Sequence, residues 1–187
     1  MVYFELQPDI FAEHVPKAVD PNLQFGPFMR GTLIVDPVAT PIEFVTTHES
    51  GDPPKGYHGR QLPLMSKAFV HALQEFGIDN LQWFAARLSS SLDGTIWDEY
   101  FAANIVGLVS CVDERASKFK KVIDRPGASS SPLLVFEELK IDPNKVDGVH
   151  IFRLAESPRT VLVSGKLVDH LRAKADDEAW GITLDER

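Results

Sequence analysis

Apolar positions along the chain recur with two different periods, and the change between them predicts the elements. Residues 2–6 form a short aromatic and aliphatic run that reads as a strand. Pro8, Pro16, Pro21, Gly26-Pro27 and Arg30-Gly31 then interrupt the pattern, so irregular backbone is expected up to a strand at 32–35 and a second at 42–46. Residues 47–60 carry no hydrophobic period and predict a mobile polar loop. From Ser66 the period lengthens. Ala68, Phe69, Ala72, Leu73 and Phe76 recur at helical spacing, Ser66 stands where an N-cap belongs and Gly77 where a C-cap glycine belongs. Residues 81–88 alternate again, with Trp83 and Ala85 opposite Gln82 and Phe84, and Ser89 to Gly94 supply turn chemistry. A further strand is expected from about Tyr100, because Gly107 would cost a helix about 1 kcal/mol. Residues 133–139 and 149–154 read as strands, separated by turn signals at Asp142-Pro143-Asn144 and Asp147-Gly148. Between them and the preceding strand lie a basic cluster, Lys118 to Lys121 with Arg125, and a flexible connection at 127–132.

The last segment repeats an earlier one. Leu162-Val163-Ser164-Gly165-Lys166-Leu167-Val168-Asp169-His170-Leu171 aligns without gaps on Leu64-Met65-Ser66-Lys67-Ala68-Phe69-Val70-His71-Ala72-Leu73. Each stretch is followed by a tryptophan and a β-like run, Trp83-Phe84 in one and Trp180-Gly181-Ile182 in the other. Two similar strand–Ser–helix–strand units follow, by internal duplication or by convergence on a common local motif. The expected fold is α+β: mainly antiparallel sheet with a few short helices. It fills a single domain over residues 1–187, with an irregular part at 1–60 and an α+β core at 61–187.

Composition narrows the function classes. With 44% hydrophobic and 25% charged residues over 187 positions, the chain can bury a core without staples. The single Cys111 excludes an internal disulfide and any zinc site built on several thiolates. The N-terminus has no basic region followed by a long apolar core, and no apolar run reaches the roughly 20 residues of a membrane helix, so a cytoplasmic location is expected. A net charge of −8 disfavours direct contact with phosphate backbones and favours a basic protein partner.

Catalytic patterns are missing. The six histidines never take the His-Glu-x-x-His spacing. His48, Glu49, Asp52 and His58 on the polar loop could gather nitrogen and oxygen ligands, or the loop is simply solvated; no metal and no cofactor is expected. Cys111 lies in an apolar run, where burial raises the thiol pKa and makes it inert. Ser66 and Ser164 are explained by capping, and no Gly-x-Ser-x-Gly elbow or phosphate loop is present. Adjacent carboxylates such as Asp98-Glu99, Asp113-Glu114 and Glu137-Glu138 would point to opposite faces of a strand, so no acid–base dyad can be read from them. A different use remains for Asp93, Asp98 and Glu99: they flank Trp97 on an expected loop, and an aromatic among carboxylates is a recurring anchor against a basic protein surface. The alternative for Trp97 is a place in the core. Asp176 to Glu178 reads as a solvated loop after the last helix.

Leu62-Pro63-Leu64-Met65-Ser66 with its helix, Tyr100 through Asn104-Ile105-Val106, then Asp113 and Ser117, resemble one bacterial family, as does 147–154 followed by Val161-Leu162-Val163-Ser164. That family is the eleventh numbered class of immunity proteins of polymorphic toxin systems, formerly a domain of unknown function. The resemblance spans most of the chain and is weakest before residue 60. It implies a non-enzymatic cytoplasmic antidote in interbacterial competition, which binds a cognate toxin and blocks its active site or substrate path. A basic nuclease domain is one toxin class that would suit an acidic inhibitor. No catalytic residue carries over. Asn104, Asp113 and Ser117 match the most recognisable signature, and their physical reading is structural, a strand end and a following cap. Two other classes remain: an adaptor module of a secretion or phage-like assembly, and an enzyme built on the His48–His58 loop.

Overall fold

The computed structural model describes residues 1–9, 15–19, 23–59, 61–123, 133–146 and 148–187. His14, Pro21, Arg60, Arg125, the expected connection at 127–132 and the turn position Asp147 lie outside the described residues. The chain opens with strands β1 (Tyr3–Pro8), β2 (Lys17–Ala18), β3 (Ile42–Thr46) and β4 (Tyr57–His58). Strand β5 (Leu64–Ser66) runs directly into helix α1 (Lys67–Phe76), followed by the long hairpin of β6 (Leu81–Ser90) and β7 (Ile96–Ile105). Then come β8 (Leu108–Val109), β9 (Lys118–Ile123), β10 (Leu133–Glu138) and β11 (Ile151–Leu154). Strand β12 (Ser157–Ser164) runs directly into α2 (Gly165–Arg172), and α3 (Asp177–Trp180) and β13 (Ile182–Glu186) close the chain.

Two principal sheets form, one of six strands in the order β2-β3-β6-β7-β5-β4 and one of five in the order β13-β1-β12-β11-β8, with β9 and β10 as a separate ribbon. The ladders are antiparallel except β3–β6 and β8–β11. The fold is therefore α+β and mostly antiparallel.

Both longer helices begin by the same chemistry. Ser66 and Ser164 are extended, and their Oγ atoms accept from the Phe69 N–H at 3.2 Å and the Leu167 N–H at 3.3 Å. Each cap satisfies one of the N–H groups that a helix start leaves open. Helix α1 ends at Gly77, whose φ of +93° is reached without strain only by glycine.

The sequence repeat corresponds to a repeat in topology. The strand before each helix and the strand after it lie parallel, on either side of one antiparallel strand: β5-β7-β6 in one sheet and β12-β1-β13 in the other. In both, a tyrosine of the middle strand stands opposite the capping serine, Tyr100 opposite Ser66 and Tyr3 opposite Ser164. Aligned positions also share a destination. Met65 and Val163, Phe69 and Leu167, Val70 and Val168, and Leu73 and Leu171 all enter one central apolar cluster fed by both sheets and both helices. Each such side chain contributes about 1.5–3 kcal/mol when fully buried. Leu64 and Leu162, one residue earlier, point away into two outer clusters. Residues 23–38 help cover the outer cluster of the six-stranded sheet, and Cys111, Val112, Leu139, Ile141 and Val146 cover that of the five-stranded sheet. Asn80 helps to join the sheets: its Nδ2 donates to the Val106 and Ile151 carbonyls, both at 2.8 Å. The buried Arg153 donates to the Pro158 carbonyl at 2.8 Å and to the Gln61 carbonyl at 3.2 Å.

Four expectations are corrected. Trp97, Asp98 and Glu99 lie within strand β7 and not on a loop, because the ladder with β6 continues to Ile96 beside the turn. Residues 32–35 form no ladder strand, because side chains rather than a neighbouring strand bind the backbone of Thr32 and Ile34. The polar run 47–60 is not a solvated loop throughout. Tyr57 and His58 are 1% and 4% exposed and pair with β5, Tyr57 packs on Phe69, and a Cβ on Gly56 would come within 2.7 Å of the Trp180 ring. Polarity by composition concealed a buried edge strand. The acidic run at 176–178 caps and opens α3 instead of forming a loop, with Asp176 accepting from the Ala179 N–H at 2.7 Å.

Candidate functional site

The turn of the β6–β7 hairpin is held by its own side chains. Ser90 Oγ accepts from the N–H groups of Leu92 at 3.1 Å and Asp93 at 3.3 Å. Asp93 accepts from the Ser50 N–H at 2.7 Å and from the Thr95 N–H at 2.9 Å. These bonds, that from Ser50 foremost, hold the Asp93 carboxyl well below the usual carboxylate range. Ser91 N–H donates to the Thr46 carbonyl at 2.9 Å and fastens the turn to β3. A turn ordered in this way presents its surface with little further loss of entropy on binding. It presents two aliphatic side chains, Leu92 and Ile96, 59% and 57% exposed.

Beyond the turn, the ladder register slips. Ala86 pairs with Tyr100 and Leu88 with Trp97, so Arg87 faces both Asp98 and Glu99. This β-bulge interrupts the alternation of side chains, and bulges of this kind re-aim side chains. Arg87 Nε donates to Asp98 at 2.9 Å and its Nη1 lies 3.3 Å from Glu43. Glu99 accepts from Lys67 Nζ at 2.8 Å, and that hydrogen bond raises the lysine pKa. Asp98 and Glu99 are thus both drawn to the side of the sheet that carries α1, a consequence of the bulge that strict alternation does not give. Trp97 goes the other way, half-buried in the outer cluster with Leu88 and Tyr100. The structure therefore brings Asp98 and Glu99 together, sets Asp93 at the turn, and splits Trp97 off to the opposite face. Leu92 and Ile96 were not singled out in the sequence, where apolar residues beside a turn signal carry no mark of exposure.

The histidine loop gathers no ligand set. His48 Nδ1 lies 3.2 Å from Asp52, while His58 is buried with its Nε2 2.9 Å from the Lys55 carbonyl. Burial, with some help from the neighbouring His48, lowers the His58 pKa to about 4, so the ring is neutral near pH 7. Among the described residues no group of three or more His, Cys, Asp or Glu is placed to hold a metal ion. Burial pushes the Cys111 thiol up to about 12, which leaves it unreactive.

The remaining signature residues are structural. Asp113 accepts from the N–H groups of Arg115 and Ala116 at 3.0 and 3.1 Å, and Ser117 Oγ exchanges hydrogen bonds with the Lys140 backbone, both at 3.0 Å. Asn104 is fully buried and donates to the Thr32 carbonyl at 2.8 Å. Among the described residues no helix is long and apolar enough to cross a membrane.

The profile of the immunity protein family Imm11 matches residues 3–186, nearly the whole chain. A search of curated proteins finds no match.

Proposed function

The chain belongs to the Imm11 immunity protein family, and we propose on that premise that it binds a cognate bacterial toxin and neutralises it by protein–protein contact rather than by turnover. The match over residues 3–186 carries the reading. Residues 1–187 act as one unit in the cytoplasm of the protected cell, as part of a polymorphic toxin system used in competition between bacteria.

The contact surface is the end of the β6–β7 hairpin. Leu92 and Ile96 supply apolar area, Asp93, Asp98 and Glu99 supply a carboxylate rim, and Trp97 backs the strand from the other face. An ordered turn with an apolar centre and an acidic rim suits a basic partner, in which charge sets the rate of encounter and apolar contact the lifetime. A nuclease domain with a basic substrate groove is the toxin class that fits this surface best, because an acidic inhibitor occupies the place of phosphates. The test is co-expression with the product of the adjoining reading frame. A stoichiometric complex that survives high salt, together with growth rescued only when both proteins are made, supports the reading. Absence of a complex and of toxicity overturns it, and an adaptor role in a larger assembly then becomes the reading to pursue.

A further inference from the structure

Residues 33–35 show an unusual division of labour. Ile34 turns its side chain toward the outer cluster of the six-stranded sheet, and both of its backbone groups are taken by one side chain. Its N–H donates to Gln82 Oε1 at 2.9 Å and its carbonyl accepts from Gln82 Nε2 at 2.8 Å. A carboxamide that bonds both groups of one residue stands in for a neighbouring strand. The backbone groups of the two flanking residues then point the other way, as they do along any extended chain. Among the described residues nothing hydrogen-bonds the backbone of Leu33 or Val35. Their side chains are also left outside, 64% and 87% exposed. Beside them opens a cleft of about 460 Å³, walled by Leu23, Pro27, Phe28, Ile34 and Val38 with Arg30 at its lining.

Unmade backbone bonds at alternate residues, two exposed aliphatic side chains on one face and an apolar cleft alongside define the chemistry of an occupant. It must be an extended peptide, to bond alternate N–H and C=O groups, and it must carry apolar side chains at alternate positions. We propose that residues 33–35 are a free strand edge that takes an extended, apolar segment of the cognate toxin, which seats one side chain in the cleft. This rests on the antidote reading above and adds a second contact, separate from the acidic hairpin. Trp97 joins the two surfaces, because it packs in the same outer cluster as Leu23, Ile34 and Val38.

The test uses the full chain and the purified product of the adjoining reading frame as the probe. Val35→Pro removes one outward N–H while keeping an apolar side chain, and Leu33→Lys places a charge on the edge. Both positions are exposed, so circular dichroism and the thermal midpoint should not change. Expected is at least a tenfold loss of affinity in each variant, mainly through faster dissociation. If the wild-type chain binds the probe and both variants bind it equally well, the edge is not a contact, while the antidote reading stands. If the wild-type chain does not bind the probe, the antidote reading fails and the toxin segment assigned to this edge falls with it. If sedimentation shows a dimer of the wild-type chain that Val35→Pro abolishes, the occupant is a second copy and the proposal is overturned.

Discussion

Gln82 and Asn104 stand directly opposite each other on β6 and β7, and both carboxamides reach the same stretch of backbone above the sheet. Gln82 bonds both groups of Ile34, Asn104 donates to the Thr32 carbonyl, and a 3.1 Å hydrogen bond from Asn104 to Gln82 Oε1 links the two side chains. One buried amide, Asn104, and one half-buried amide, Gln82, thus do for Thr32 and Ile34 what a strand neighbour would do. Gln82→Ala should lower unfolding free energy by about 1–2 kcal/mol, the usual effect of losing paired hydrogen bonds at a partly buried site. Hydrogen exchange at the Ile34 amide should accelerate, while the amides of α1 keep their protection. Unchanged exchange at Ile34 would show that packing, not Gln82, orders this stretch.

The two capping serines should differ in weight. Ser66→Ala removes one capping bond and should cost about 1 kcal/mol. Ser164 is fully buried, and its Oγ also lies 2.7 Å from His150 Nδ1, so Ser164→Ala should cost more, on the order of 2 kcal/mol. Denaturant unfolding of the two variants side by side checks the order.

Buried His58 makes stability depend on pH. Its folded pKa, about 4, is below the unfolded value, so between pH 6.5 and about 4 the unfolded chain binds a proton that the folded chain refuses. Stability should therefore be full above pH 6.5 and fall as pH drops through this window, by on the order of 3 kcal/mol for a shift of this size. His58→Gln should flatten the slope between pH 6.5 and 5, where carboxylates contribute little. An equal slope in the variant would place the dependence elsewhere.

Charge reversal at the bulge probes the proposed contact surface. Asp98→Lys with Glu99→Lys should slow association with the cognate toxin by about tenfold at low salt and flatten its dependence on ionic strength. Both side chains are exposed, so their salt bridges to Arg87 and Lys67 contribute little to stability. Rapid-mixing kinetics at several salt concentrations would read the effect. Unchanged rates would remove these residues from the interface.

Much of the scaffold is legible in the sequence because it rests on local chemistry. Serine caps, helical spacing from Phe69 to Phe76 and alternation in 81–88 give the elements, and the ungapped match of 64–73 with 162–171 anticipates two similar strand–Ser–helix–strand units, though not that they share one core. Local pattern fails where long-range partners decide. Residues 32–35 have strand composition, but their bonding partner is the side chain of Gln82, 48 positions away. Tyr57 and His58 sit in a polar run and are buried by Trp180 and β5 from distant parts of the chain. The candidate surface is only partly readable. Its carboxylates show in the sequence, whereas the bulge that aims Asp98 and Glu99, and the exposure of Leu92 and Ile96, depend on the register of the hairpin.

The most direct test of the antidote reading is a binding isotherm between this protein and the purified product of the adjoining reading frame, measured by calorimetry at physiological salt. The reading predicts a one-to-one complex in the nanomolar range or tighter, and loss of the toxin's activity in step with saturation. Full toxin activity at a large excess of this protein, with no heat of binding, would contradict it.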